Sequence, residues 1–367
     1  MRKELKDICI QIRGVSYKPT DIRNESEGIP ILRANNIQDD GINLDDLVYV
    51  DEKKVYDEQY LQDGDIVICA SSGSKNLVGK AATYNKDKKA SFGAFCKTIR
   101  VNKSDDVCVE FIQQFFQSKV YRNAISELSI GANINNIKTE HIDALTINLP
   151  TFSEQKHIAT ILDKIQSAIN NKKQQLLLLD EAVKSEFVEM FGENPVESGK
   201  WKVEKGENLF KFSSGKFLDA ELRLEKGIPV YGGNGIAWYT EKPLINYSTI
   251  IIGRVGAYCG NVKLVSEPIW ITDNALFIKA FKTNDFNLTY LLSLMEMINF
   301  SQFADKVAQP KITQSPLKDQ KYAIPPLNLQ NKFAAFVQQI DKSKFVVKQQ
   351  IADLQELLDS KMQEYFS

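Results

Sequence analysis

The sequence predicts an α+β fold built from two globular, mixed α/β domains, each followed by a long helix. Three observations carry this prediction. The segment Leu149–Phe191 recurs as Ile324–Phe366 without a gap, at an offset of 175 residues. Both copies hold a sustained heptad seam. The stretches ahead of each copy are short, β-branched and punctuated by Gly, Pro and Asn, as small mixed sheets are. The resulting order is domain, helix, domain, helix, with bounds at 1–150, 151–192, 193–323 and 324–367.

Identities between the copies include Pro150/Pro325, Gln155/Gln330, Ile165/Ile340, the block Lys173-Gln174-Gln175/Lys348-Gln349-Gln350, and Phe191/Phe366. In the first copy Ile158, Leu162, Ile165, Ile169, Leu176, Leu179, Val183 and Met190 follow a 4-3 alternation, interrupted by Lys172 and Glu186. The second gives Phe333, Val337, Ile340, Val347, Ile351, Leu354, Leu358 and Tyr365, interrupted by Lys344 and Lys361. A seam this narrow suits one partner helix, and the other copy is the obvious partner. Thr151 to Glu154 fits a capping box at the first helix start, and Gly192 followed by Pro195 a stop.

The domains also echo one another. Ile8–Gly14 matches Leu209–Gly215 in pattern, and Gly28-Ile29-Pro30-Ile31 recurs as Gly227-Ile228-Pro229-Val230. Asp65–Cys69 parallels Thr249–Gly253, and Asn136-Ile137-Lys138 sits where Lys311-Ile312-Thr313 does.

Composition excludes several classes. With 43% hydrophobic and 25% charged residues and a mean hydropathy of -0.28, the chain is globular rather than disordered or collagen-like. No apolar run nears the roughly 20 residues that span a bilayer, and the N-terminus is charged from the start. Five widely spaced cysteines form no CxxC, so neither a disulfide framework nor a zinc knuckle is expected. A soluble cytoplasmic protein is expected. The net charge of -1 argues against a simple DNA-coating protein, yet its distribution is uneven. Asp39 to Asp65 holds ten acidic residues against two lysines, and Lys75 to Lys103 holds eight basic residues against Asp87. A local basic surface survives overall neutrality.

Enzyme motifs fail one by one. Gly73 to Gly79-Lys80 has the wrong glycine spacing for a phosphate loop, and Ala81 replaces the metal-binding hydroxyl. No G-x-G-x-x-G opens a helix. Asn194-Pro195-Val196-Glu197 lacks the second proline and the ring of an amino-methyltransferase tetrad. His141 and His157 stand apart from metal-ligand spacing. Ser72-Gly73-Ser74-Lys75 matches S-x-x-K, but no K-T-G follows. No catalytic residue and no metal site is assigned.

The pattern resembles the specificity subunits of type I restriction–modification systems, and the resemblance covers almost the whole chain. It rests on the two helices entered by Leu149-Pro150 with Glu154-Gln155, and by Pro325-Pro326 with Gln330. Within the first domain it rests on Arg13-Gly14 then Tyr17, on Gly28-Ile29-Pro30 then Arg33 to Ile37, and on Gly64-Asp65. The resemblance implies two target-recognition domains joined by an antiparallel two-helix coiled coil with approximate two-fold symmetry. A helix of about 35 residues is roughly 52 Å long, about 15 base-pair steps. Two dissimilar domains would then read an asymmetric bipartite target in double-stranded DNA, with the helices setting the unread spacer.

Side chains able to read base edges are Arg33, Asn35 and Asn36 after one Pro-ended turn, and Ser71, Ser72, Ser74, Lys75 and Asn76 in the following loop. In the second domain they are Tyr231 and Asn234, then Arg254, Tyr258 and Asn261. Lys18, Lys80, Lys216, Lys263 and Lys311 suit phosphate contacts. The resemblance further implies two modification subunits carrying S-adenosylmethionine, and restriction subunits using ATP and Mg. Their docking would use exposed helix residues such as Lys164, Gln174, Gln175 and Glu181. This chain itself needs no cofactor. Two competing readings are a coiled-coil adaptor linking protein-binding domains, and a specificity component of another multi-subunit modification enzyme.

Overall fold

The computed structural model describes the chain except for residues 39–40, 75–76, 86–87, 103, 131–135 and 306–309. The chain divides into two compact units, Met1–Lys173 with Gln349–Ser367, and Gln174–Lys348. The division runs through the middle of both long helices, Phe152–Phe191 and Leu327–Phe366. The bounds 151–192 and 324–367 follow the two helices, whereas the compact units cut across both. Each half-helix packs into the domain beside it.

The first unit is organised by an antiparallel sheet in the order Cys9–Arg13, Cys96–Val101, Asp65–Cys69, Ala81–Tyr84. A second sheet pairs Ile29–Leu32 in parallel with Ser91–Phe92 and antiparallel with Val48–Val50. Arg2–Glu4 pairs with Thr146–Asn148 and leads the chain to the first long helix. The second unit repeats this plan. Its main sheet runs Phe210–Ser214, Ala275–Phe281, Thr249–Gly253, Val262–Val265. Ile228–Gly232 pairs in parallel with Trp270–Ile271, and Lys202–Lys205 pairs with Lys321–Ile324 ahead of the second long helix. The echoes Ile8–Gly14/Leu209–Gly215 and Asp65–Cys69/Thr249–Gly253 are matching strands of the duplicated sheet.

The helix halves pair antiparallel within each unit. In the first, Leu162 and Ile169 share a core with Leu358, Met362 and Phe366. In the second, Phe187 and Phe191 share one with Phe333, and the rings of Phe191 and Phe333 meet edge-on at 5.7 Å. The buried stripe is wider at the helix ends than the seam predicts. Phe187 and Met362 lie off the 4-3 alternation because there the helix faces a domain as well as its partner helix. Tyr290 stacks on Phe187 at 5.6 Å and Phe111 meets Phe366 at 5.0 Å. The seam lysine Lys344 is neutralised across the pair by Asp180, at 2.6 Å.

The capping box forms as the sequence indicates. The Thr151 N–H donates to Glu154 Oε2 at 2.9 Å, and the Glu154 N–H to Thr151 Oγ1 at 3.4 Å. The Thr151 hydroxyl also donates to Glu154 Oε2 at 2.7 Å, and this bond, with that of the Thr151 N–H, holds the Glu154 carboxyl below its ordinary range. Gly192 closes the helix at φ +96°, its N–H donating to the Val188 carbonyl at 2.8 Å. The helix glutamines prove to be joints. Gln155 and Gln330 are wholly buried, and each bonds the loop ahead of its own domain's first long-helix contact: Gln155 to Asp106 and Cys108, Gln330 to Asp285 and Asn287.

Candidate nucleic-acid interface

In the first unit, strand Ile29–Leu32 ends in a short turn, Ala34–Asn36, that presents Arg33 and Asn35. Asn36 builds this turn. Its Oδ1 accepts the Arg33 N–H at 2.9 Å, and its Nδ2 donates to the Asp45 carbonyl at 2.8 Å. With its amide so engaged and only 1% exposed, Asn36 leaves the set of base readers. It is a structural residue that the sequence pattern could not distinguish from its neighbour Asn35.

Strand Asp65–Cys69 delivers the second loop. Its end is fixed by the Ala70 and Ser71 N–H groups, which both donate to the Phe95 carbonyl, and by the Ile137 N–H donating to the Ala70 carbonyl at 2.7 Å. Arg100 secures the strand's start through a two-point bond to Asp65, Nε to Oδ1 at 2.9 Å and Nη2 to Oδ2 at 2.7 Å. These supports bring Arg33, Asn35, Ser71 and Ser72 around one cleft of about 610 Å³, walled by Tyr17 and Phe95. Phe95 is 70% exposed, and no sequence pattern signals it, because a lone aromatic residue in a loop carries no periodicity. Cys96 at the cleft floor is buried, and burial pushes its thiol up to about 12. It stays protonated and acts as a small apolar residue.

The remaining first-unit candidates scatter. Ser74 is exposed and donates its N–H to Ser72 Oγ at 3.2 Å. Lys18 is exposed on the neighbouring turn, whereas Lys80 is half-buried and lies off the cleft lining. Lys75 and Asn76 fall outside the described residues.

In the second unit the matching turn carries Asn234. It joins Asn261 and Lys263 around a cleft of about 530 Å³ that also takes in Glu296 and Asn299. Arg254 and Tyr258 do not line that cleft. The Arg254 guanidinium reaches the Asp273 carbonyl at 3.4 Å, and Tyr258 stands exposed beside it. Tyr231 is half-buried in its strand against the sheet core, so packing occupies much of its ring. Lys216 and Lys311 are exposed, as phosphate contacts must be. The Arg223 guanidinium lies 3.9 Å over the Trp238 ring and 5.9 Å over Phe217, a stack that no local sequence pattern signals. Such a pair joins positions far apart in sequence.

Lys164, Gln174, Gln175 and Glu181 all lie on exposed faces of the first long helix. Beside the last three, Leu177 and Leu178 are also exposed, as are Phe345 and Val346 on the second helix. Among the described residues no group of His, Cys, Asp or Glu could hold a metal ion, and no helix is long and apolar enough to cross a membrane.

Two copies of one scaffold, each with a cleft beside the matching turn and lined by different side chains, define a duplicated two-unit protein. The chain belongs to the family described as the type I restriction modification DNA specificity domain, which matches residues 1–179 and 198–356. It is 42% identical over 175 residues to the StySPI specificity subunit of Salmonella potsdam, covering 47% of this chain and 37% of that protein. To the EcoKI specificity subunit of Escherichia coli strain K12 it is 38% identical over 217 residues, covering 58% and 46%. The chain thus spans less than half the length of these two relatives. A putative specificity subunit of Methanocaldococcus jannaschii, MjaX, is 26% identical over 374 residues, covering 92% of this chain and 86% of that protein.

Among solved structures, the type I S subunit of M. genitalium superposes with a TM-score of 0.58 at 17% identity, over all of this chain and 96% of that one. A chain from a study of assembly and conformational transition in the type I R-M system gives 0.55 at 15% identity, over 100% and 97%. At these identities the likeness is one of fold.

Proposed function

We propose that this chain is the non-catalytic DNA-specificity subunit of a cytoplasmic type I restriction–modification complex. Each unit reads one half-site of an asymmetric, bipartite target in double-stranded DNA. The observation that carries this is the duplicated turn. After matching strands both copies present an asparagine, Asn35 and Asn234, but Arg33 of the first is replaced by Gly232 in the second, so one frame holds unlike reader sets. Arginine suits guanine and asparagine adenine, so unlike readers imply unlike half-sites. The two long helices, each 40 residues and shared by both units, set the unread spacer. Their exposed faces dock two modification subunits, which bring S-adenosylmethionine and flip the target adenine. Restriction subunits add ATP- and Mg-dependent cleavage.

The test is a long-read adenine methylome of cells expressing this chain with its neighbouring modification subunit, beside cells expressing that subunit alone. The expected result is a gapped, asymmetric methylated motif only where the chain is present. A stable complex of the two proteins without any such motif would overturn the reading in favour of an adaptor.

A further inference from the structure

The loop Asp45–Asp46 closes against the turn that carries Arg33 and Asn35. Asp46 Oδ2 accepts from Arg33 Nη2 at 2.9 Å and from Asn35 Nδ2 at 3.1 Å. The Asp46 carbonyl accepts from the same Nη2 at 2.7 Å. One carboxylate therefore holds both side chains of the turn that line the first unit's cleft. The loop is itself fastened, since buried Asn36 bonds the Asp45 carbonyl and the Asp45 N–H donates to Asn43 Oδ1 at 2.6 Å.

Two features say that this arrangement is not there for stability. The Asp46 side chain is 79% exposed, and exposed ion pairs contribute little to folding. Its backbone has φ +52°, and Asp46 is the one non-glycine residue with positive φ among the described residues. Backbone held in that region is strained, and it persists where surrounding bonds fix it, often at functional sites. In the second unit the position matching Arg33 is Gly232, which has no side chain for a carboxylate to hold.

Resting on the DNA-reading function proposed above, we infer that Asp46 is a positioning residue that sets sequence discrimination in the first unit. It fixes the Arg33 and Asn35 side chains before DNA arrives, and so reduces the ordering cost of binding. It also offsets the Arg33 charge. An unaccompanied arginine attracts phosphate whatever the sequence, whereas an oriented guanidinium favours guanine. The carboxylate repels phosphate that approaches in the wrong register, which penalises incorrect sites.

Two variants separate these roles. Asp46→Asn keeps an acceptor oxygen, tolerates positive φ and removes the charge. Asp46→Gly relieves the backbone and removes the carboxylate that holds Arg33 and Asn35, leaving only the carbonyl bond to Arg33 Nη2. Each would be assembled with the modification subunit and checked for an unchanged melting temperature. Binding would then be measured over a salt series on the target duplex and on duplexes with single base-pair changes in either half-site. Arg33→Ala, run in parallel, identifies the first unit's half-site as the one it relaxes.

Asp46→Gly is expected to lose about tenfold in discrimination within that half-site, with the other half-site unchanged. Both variants are expected to bind unrelated DNA more tightly, with a salt slope steeper by about one phosphate contact. Asp46→Asn is expected to retain most of the discrimination. Unchanged discrimination in Asp46→Gly, or an equal loss in both half-sites, overturns the inference alone. If Arg33→Ala relaxes neither half-site, the reading beneath it falls and the inference falls with it.

Discussion

Replacing Gln155 by leucine is expected to cost the first unit at least about 1–3 kcal/mol, because the buried Cys108 N–H loses its partner and the part-buried Asp106 and Pro150 carbonyls lose theirs. Gln155 Oε1 accepts the Cys108 N–H at 2.9 Å, while Nε2 donates to the Asp106 carbonyl at 2.8 Å and the Pro150 carbonyl at 3.0 Å. Leucine fills the space but answers none of these groups. Gln330 makes the same three bonds in the second unit, to the Asn287 N–H and to the Asp285 and Pro325 carbonyls, each at 2.8 Å. Gln330→Leu is therefore the matched experiment. Hydrogen exchange on the full chain reads the result: Gln155→Leu should lose protection around 106–108 and 150–155, and Gln330→Leu around 285–287 and 325–330. A change below about 1 kcal/mol in either would contradict the joint assigned to these glutamines.

Gly14→Ala and Gly215→Ala are expected to destabilise their own units by at least about 3 kcal/mol, at the upper end of overpacking costs. A Cβ on Gly14 would sit 2.1 Å from the Gly93 carbonyl oxygen, and one on Gly215 2.1 Å from that of Thr272. Both obstacles are backbone, so no side-chain rotation relieves them. The Gly14 clash also pushes on the segment Gly93–Cys96, which lines the first cleft. Gly14→Ala should therefore weaken recognition of one half-site and Gly215→Ala of the other. Gly73→Ala is the control, since its Cβ would meet nothing within 4 Å. It should melt within about 0.5 kcal/mol of the parent. Equal tolerance at all three positions would remove the close-approach explanation of these glycines.

Much of this fold was legible because it is written twice. Two weak patterns, such as Ile8–Gly14 and Leu209–Gly215, become persuasive when each precedes a copy of the same helix, and each is an edge strand of its own unit's main sheet. The seam was legible wherever helix packs on helix, as at Leu162 and Ile169. It failed at Phe187 and Met362, where a domain surface widens the buried face and heptad spacing no longer governs. The candidate sites were legible only as loops. Asn35 and Asn36 are chemically identical neighbours, and a single turn buries one and presents the other. Asp46 was invisible because its role depends on a positive φ and on bonds to residues 11 and 13 positions away. The Arg223–Trp238 stack depends on tertiary placement in the same way.

The central claim, that each unit reads its own half of a split target, is tested most directly by paired methylomes. One complex would carry Arg33→Ala with Asn35→Ala, the other Asn234→Ala with Asn261→Ala, beside the unaltered chain. The account predicts that the first pair relaxes bases in one half of the motif and the second pair bases in the other, with the spacer unchanged in both. Relaxation of both halves by either pair, or an unaltered motif from both, would contradict it.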